Sequence, residues 1–212
     1  MLVTDRSLAG GEDGLVAAVE AAIGAGADAV QLREKDLADS ELVALAGRLR
    51  EVTRGRAVLV VNGPAAVAEA AEADGVHLPE DLPAGRHGAP PVSRPRAGFL
   101  VGRSVHSLES ARRAEAEGAD YLIAGPVFGT RSHPDVAPAG VALIVDVARA
   151  VRVPVLAIGG LTAERVGEVV RAGASGVAVI SAVIGQPDPR AAAEALRRAL
   201  DSAWAATGAV RR

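Results

Sequence analysis

The stretch VPVLAIGGLTAERVGEVVRAGASGVAVIS, residues 153–181, decides the fold class of this chain. It joins two apolar, β-branched runs through a segment whose apolar residues recur at three-to-four spacing and which closes on Ala-Gly. This pattern predicts a strand, a helix and a second strand. Both runs are continuously apolar rather than alternating, which is typical of strands buried on both faces of a parallel sheet.

The same alternation extends along the chain. Short apolar runs predict eight strands, at 2–5, 29–32, 57–61, 75–78, 99–102, 121–125, 153–160 and 176–181. Helical patterns separate most of them, but residues 79–98 are rich in proline and predict mainly a loop. Eight strands alternating with helices predict an α/β fold, a (β/α)8 TIM barrel formed as a single domain over residues 1–212. The alternative, an open doubly wound sheet, has no GxGxxG after its first strand.

The composition narrows the kinds of function. Apolar residues make up 50% of the chain and the formal net charge is −3. No nucleic-acid or membrane partner is indicated, because each needs a clustered excess of one charge. The chain has no cysteine, which excludes disulfides and thiolate chemistry. Since Asp5 and Arg6 interrupt the first apolar residues and no window reaches the length of a membrane span, we expect a cytoplasmic protein.

Polar residues directly after the predicted strands are the candidate functional residues, because catalytic groups of a barrel gather at the carboxyl ends of its strands. Two of these ends predict a phosphate site, at Gly160 and, twenty residues later, at Ile180 and Ser181. Main-chain N–H groups would face the anion, and glycine lets the backbone approach it. The alternative is that paired glycines only form a tight turn between strand and helix.

The stretch QLREK, residues 31–35, places Gln31, Arg33 and Lys35 at alternate positions, the period of a strand. This spacing directs three polar side chains to one side and predicts substrate binding, above all by Arg33 and Lys35. Lys35 is the only lysine among 23 basic residues, and guanidinium does not replace its compact charge. The alternative is a solvated strand end in which Glu34 pairs with a basic residue.

His106 is the candidate acid/base among four histidines, since it follows a strand end directly before a helix start. Imidazole titrates near neutrality and can both accept and donate a proton. A helix-start or hydrogen-bonding role is the alternative. The pattern places His77 in the core or at the rim, His87 in the proline-rich loop and His133 in a loop over the barrel mouth.

A metal site has little support in the sequence. Magnesium bound to a diphosphate takes carboxylate ligands, often two. Asp81 is one candidate, but Asn62 is followed by Gly63 rather than by an acid. We therefore expect neither a metal site nor another cofactor.

Eight segments spread over nearly the whole chain resemble the thiamine phosphate synthase superfamily. In order, they are LVTDR, VQLREK, VVNG, ADGVHLPEDL, VGRSVHSLESA, GADYLIAGPVFGT, VPVLAIGGLT and GVAVISA. The resemblance implies a (β/α)8 barrel with one of two activities. The synthases join a pyrimidine diphosphate to a thiazole phosphate with magnesium, whereas the thiazole tautomerases aromatise a thiazole phosphate carboxylate without metal.

Two departures from the synthase pattern favour the tautomerase branch. Synthases usually have Asn-Asp after the third strand, the Asp binding magnesium, where this chain has Asn62-Gly63. They usually hold the diphosphate with a lysine in the loop that here reads Thr130-Arg131-Ser132-His133. Other positions are synthase-like, namely Gln31, Arg33, Lys35 and Asp81.

The predicted function is therefore a thiazole tautomerase of thiamine biosynthesis, an isomerase. It would convert 2-(2-carboxy-4-methylthiazol-5(2H)-ylidene)ethyl phosphate to the aromatic isomer, with His106 moving the proton from ring C2 to the exocyclic carbon. Asn62, Ser104 and Thr130 would line the pocket. The alternatives are a magnesium-dependent thiamine phosphate synthase and a non-catalytic barrel that binds a thiazole or thiamine phosphate. A homodimer is one expected assembly.

Overall fold

The computed structural model describes residues 1–80, 94–130 and 137–208. Its eight strands form one sheet whose strand order is the order of the sequence. They are β1 (Leu2–Val3), β2 (Ala29–Leu32), β3 (Val58–Asn62), β4 (Gly75–Leu78), β5 (Leu100–Val105), β6 (Tyr121–Ala124), β7 (Val155–Ile158) and β8 (Gly176–Ala178).

Seven helices lie in these described ranges. They are α1 (Glu12–Gly24), α2 (Asp39–Thr53), α3 (Ala65–Ala70), α4 (Leu108–Ala116), α5 (Gly140–Ala150), α6 (Ala163–Arg171) and α7 (Pro189–Thr207). Helix α7 is absent from the sequence-based prediction. In the described parts of the predicted loop, residues 79–80 and 94–98, there is no helix.

Parallel pairing joins neighbouring strands, with Val30 opposite Leu59 between β2 and β3 and Ile123 opposite Leu156 between β6 and β7. Parallel neighbours need a crossover between them, and helices supply most of these crossovers. Eight parallel strands in sequence order with alternating helices are the topology of a (β/α)8 TIM barrel. The predicted fold class is confirmed.

The described residues fall into two compact units. The first unit contains residues 1–78, 94–101 and 180–194, and the second contains 79–80, 102–130, 137–179 and 195–208. In the first, α1 packs against α2 and α2 against α3. In the second, α4 packs against α5 and α5 against α6.

Aliphatic side chains fill both cores, as the aromatic content of only 2% requires. Leu15 and Leu49 are fully buried in the first unit, and Leu122, Ile144 and Val166 in the second. Burial of such side chains contributes about 1.5–3 kcal/mol each. Within residues 1–80, 94–130 and 137–208, no helix has both the length and the apolar character that a membrane crossing requires.

Candidate active site

The carboxyl end of β2 is held by the end of β1. Thr4, fully buried, donates its main-chain N–H to the Gln31 carbonyl at 2.9 Å and accepts the Arg33 N–H on its hydroxyl at 2.8 Å. Gln31 is buried in β2, whereas Arg33 is half-buried and Lys35 exposed in the segment that follows. The first unit therefore fixes the backbone from which the two predicted binding cations extend.

Arg33 and Lys35 lie close enough to influence each other. Burial lowers the pKa of Arg33, an effect that the charges of Asp5 and Glu34 oppose. The positive charge of Arg33, followed by burial, lowers the pKa of Lys35. Repulsion between two cations is relieved when an anion binds near both.

The two acids that alternate with these cations, Glu34 and Asp36, bind Arg6. Glu34, whose side chain is 4% exposed, forms an ion pair with Arg6 at 3.0 Å. The Arg6 guanidinium also donates to Asp36, at 2.6 and 2.7 Å, and lowers the pKa of Asp36 to about 2. Glu34 therefore pairs with a basic residue, as the alternative of a solvated strand end expected. Arg33 and Lys35 lie in the same segment as Glu34 but are not its partners in this ion pair.

The neighbouring strand ends in the first unit carry Asn62 and His77, which lie opposite each other in the β3–β4 register. The Asn62 side-chain amide donates to the His77 carbonyl at 3.3 Å. His77 is 1% exposed, which confirms its placement in the core. Gly63 follows Asn62, and a Cβ built on it would have its nearest neighbour at an ordinary 3.6 Å.

In the second unit, His106 lies at the start of α4. Ser107 is the N-cap, accepting the Ser110 N–H on its hydroxyl at 3.1 Å, so His106 directly precedes the helix. The imidazole Nδ1 makes a hydrogen bond with the Gly125 carbonyl. Because a carbonyl only accepts, the imidazole Nδ1 is the donor in this bond. The side chain is 54% exposed.

Glu80 is the neighbour of His106 that sequence reasoning missed. One carboxylate oxygen lies 3.9 Å from His106 Nε2, and the other accepts the His106 main-chain N–H at 3.3 Å. The Glu80 carbonyl accepts from Arg103, a buried cation of β5 that also pairs with Glu117 at 3.2 Å. The signal in the sequence was the PEDL segment, which places two acids, Glu80 and Asp81, side by side shortly after β4.

The remaining predicted residues of the second unit are Ser104 and Thr130, both half-buried. Ser104 lies in β5 opposite Ile123 of β6, and Thr130 ends the described stretch 94–130. Asp81, His87, Arg131, Ser132 and His133 lie outside the described residues.

Gly159 and Gly160 form the turn after β7 and support the 126–129 segment. Their φ angles are +102° and +60°, in the left-handed region that favours glycine. A Cβ on Gly159 would lie 2.7 Å from the Cα of Pro126, and one on Gly160 would lie 2.8 Å from the Cβ of Phe128. Close backbone packing therefore requires both glycines, as the tight-turn alternative proposed.

Ile180 and Ser181, in the first unit, begin a helical turn. The Ile180 carbonyl accepts from the N–H groups of Val183 and Ile184, each at 3.0 Å, and the Ser181 carbonyl accepts from Gln186 at 2.8 Å. N–H groups at the first positions of such a turn have no partner within it. This geometry is compatible with anion binding, and the phosphate role of Gly160, Ile180 and Ser181 stays a prediction.

The fold and these strand-end residues define a class: a parallel α/β barrel protein with a candidate site of polar residues after its strands. Within that class, the thiamine monophosphate synthase family matches residues 1–183, and the chain belongs to this family. Two curated relatives, each called thiamine-phosphate synthase, are 46% identical to it. The protein of Methanoculleus marisnigri aligns over 96% of both chains, and that of Roseiflexus castenholzii over 92% of this chain and 85% of its own.

A solved structure extends the similarity to three dimensions. The thiamine phosphate pyrophosphorylase of Pyrococcus furiosus has a TM-score of 0.82 and 37% sequence identity, with 95% of each chain covered.

These findings correct the predicted activity. The tautomerase interpretation and its isomerase class are wrong, because relatives at 43–46% identity are called thiamine-phosphate synthases. The interpretation relied on the missing acid at position 63 and on a lysine missing from the 130–133 loop. A Cβ fits at position 63, so the glycine there is no sign of a different backbone, and Arg33 and Lys35 still supply two cations after β2.

Proposed function

We propose that this protein is a thiamine-phosphate synthase, which joins a pyrimidine diphosphate to a thiazole phosphate and releases diphosphate. The observation that carries the proposal is the 46% identity to proteins of that name over nearly the whole chain. In this reaction the thiazole ring nitrogen replaces the diphosphate on the methylene carbon of the pyrimidine. One C–N bond forms and one C–O bond breaks.

The chemistry assigns a clear task to the cations of the first unit. As the C–O bond breaks, negative charge accumulates on the departing diphosphate, and fixed positive groups stabilise the transition state. Arg33 offers a planar fork of donors and Lys35 a compact point charge. Their mutual repulsion, which lowers the pKa of Lys35, is reduced in the bound state.

The other predicted site residues are assigned to orienting the substrates. Gly160, Ile180 and Ser181 would bind the thiazole phosphate through main-chain N–H groups. Gln31, Asn62, Ser104 and Thr130 would contact the rings or the diphosphate. These assignments are proposals that follow from the positions of the residues after the strands.

His106 has a smaller task in this reaction than in the predicted isomerisation. Joining the two substrates removes no proton from carbon, so the step does not require a general base. The Nδ1 hydrogen bond to Gly125 orients the imidazole, and a Glu80 carboxylate oxygen lies 3.9 Å from Nε2. We assign His106 to substrate contact.

The family implies magnesium, and the described residues do not form a cluster of three ligand side chains for a metal ion. Asp81, the acid that the resemblance would place near the metal, lies outside them. Among the described residues the ligand set for magnesium is therefore incomplete, and the roles assigned above involve only groups of the chain itself.

The decisive experiment incubates the purified protein with the pyrimidine diphosphate, the thiazole phosphate and Mg²⁺, and follows thiamine phosphate and released diphosphate together. We expect the two products in equal amounts, with loss of activity in EDTA. A protein that binds thiazole phosphate but forms no product would refute the proposal in favour of the non-catalytic barrel. Arg33→Gln should lower kcat/KM at least about tenfold, the loss expected for one charge-assisted contact.

A further inference from the structure

The four residues after β2 alternate in charge, with bases at 33 and 35 and acids at 34 and 36. A carboxylate beside a guanidinium or ammonium group forms a charge-assisted contact readily. Without a competing partner, the acids of this segment would neutralise its own cations. The structure shows that both acids are bound elsewhere.

Arg6, in the segment after β1, binds both acids. Its Nη1 donates to Glu34 at 3.0 Å and to Asp36 at 2.7 Å, and its Nη2 donates to Asp36 at 2.6 Å. Its main-chain N–H points at both Glu34 oxygens, at 3.1 and 3.2 Å. Glu34 is shielded from water at 4% exposure, so this contact is less screened than the one to Asp36, which is 69% exposed.

The two bases are left without such partners. Among the described residues, neither Arg33 nor Lys35 forms a side-chain ion pair. The nearby Asp5 carboxylate accepts from the Ser7 N–H at 3.1 Å and from the Ser7 hydroxyl at 2.5 Å. Glu34 and Asp36 thus form their ion pairs with Arg6 and not with the neighbouring bases, although the charge of Glu34 still acts on Arg33.

We propose that Arg6 is a positioning residue that keeps Arg33 and Lys35 available for an anionic diphosphate by holding Glu34 and Asp36 away from them. The inference rests on the proposed function, in which these two cations bind the diphosphate. Arg6 acts through the loop acids and has no assigned contact with substrate. Its removal deprives two carboxylates of the segment that carries both cations of their guanidinium partner.

The test measures binding of inorganic diphosphate to the full chain by calorimetry. Arg6→Gln should weaken the affinity about five- to tenfold, as expected when one or two carboxylates approach a bound anion in a partly hydrated site. Arg48→Gln is the matched control. Arg48 also binds two acids, Glu12 at 3.1 Å and Asp13 at 2.6 Å, and lies on α2, outside this loop. This control should bind diphosphate like the unmodified protein.

A triple variant distinguishes the proposed role of Arg6, which is to hold the two acids away from the cations, from a purely structural role. Arg6→Gln combined with Glu34→Gln and Asp36→Asn removes the freed carboxylates and leaves no unpaired buried charge, so it should fold even where Arg6→Gln alone does not. We expect its diphosphate affinity to return to within about twofold of the unmodified protein, because neutral amides do not compete for the cations. Affinity that stays low in the triple variant, or unchanged affinity in Arg6→Gln, overturns the inference.

Steady-state kinetics distinguish this inference from the proposed function. In Arg6→Gln, the KM for the pyrimidine diphosphate should rise with a smaller change in kcat. Suppose that the protein shows no synthase turnover, but Arg6→Gln weakens diphosphate binding and the triple variant restores it. The positioning role of Arg6 would then be retained and the proposed synthase refuted. Turnover in which Arg6→Gln keeps the KM and the diphosphate affinity of the unmodified protein would retain the proposed synthase and refute the positioning role of Arg6.

Discussion

Replacing Gly160 by alanine tests the geometry of the turn after β7. The φ of Gly160 is +60°, a conformation that costs an alanine about 1–2 kcal/mol. The added Cβ would meet the Gly129 carbonyl and lie 2.8 Å from the Cβ of Phe128. Overpacking of this kind costs about 1–3 kcal/mol. The two terms together lower the expected free energy of unfolding by about 2–5 kcal/mol.

Urea unfolding followed by circular dichroism measures this loss, with Gly140→Ala as the matched control. Gly140 has a similar φ of +72° but no heavy atom within 4 Å of a built Cβ. Its substitution should cost only the conformational term, about 1–2 kcal/mol. If the two variants unfold at free energies within about 0.5 kcal/mol of each other, the close packing of Gly160 on the 128–129 backbone is refuted.

Four further outcomes are expected. Because the charge of Arg33 and burial lower the pKa of Lys35 from its ordinary 10.5, this ammonium loses its charge at a lower pH than a free lysine, whereas a guanidinium stays charged. Calorimetry at a series of pH values up to 10.5 should therefore show diphosphate affinity falling more steeply in the unmodified protein than in Lys35→Arg; parallel profiles would exclude Lys35 as a ligand. His106→Asn should reduce synthase kcat less than about tenfold, whereas a loss of about 100-fold or more in a product assay would indicate acid/base catalysis. The Gly63→Asp protein should fold normally, since a Cβ fits at position 63. It should reach half-maximal activity at a lower Mg²⁺ concentration than the unmodified protein, and a higher half-maximal concentration would contradict this expectation. Asp74→Ala should lower the free energy of unfolding by about 1–3 kcal/mol, because the carboxylate binds both Arg50 and the Leu59 N–H at 2.8 Å; urea unfolding with an unchanged midpoint would contradict it.

The fold was predictable because its evidence is local. Each β-branched run became a strand at the expected place, since a strand buried on both faces needs a short continuous apolar segment and little else. Helix α7 was missed although its sequence is rich in alanine and arginine, because the prediction followed only helices lying between strands. The bounds of β2 were predicted as the structure has them, at 29–32, so Arg33 and Lys35 belong to the segment after the strand. Other bounds differed: β5 extends to Val105 and β8 ends at Ala178.

The choice between two chemistries was not predictable from single positions. Gly63 and the 130–133 loop favoured the tautomerase because each lacks one charged group of the synthase pattern, but a single position says nothing about the other groups that bind the same substrate. Similarity over the whole chain weighed against that reading. Residues contributed by distant segments, such as Glu80 beside His106, give no periodic signal of their own.

By itself, the sequence determined the strands, the parallel topology and the positions after the strand ends, because periodicity and burial act between near neighbours along the chain. Only the tertiary structure decided which charges meet. Arg6 and Glu34 are 28 residues apart in sequence and 3.0 Å apart in space. A contact of that kind depends on two strands being placed side by side, and this placement decides which bases of an alternating segment are neutralised and which can bind an anion.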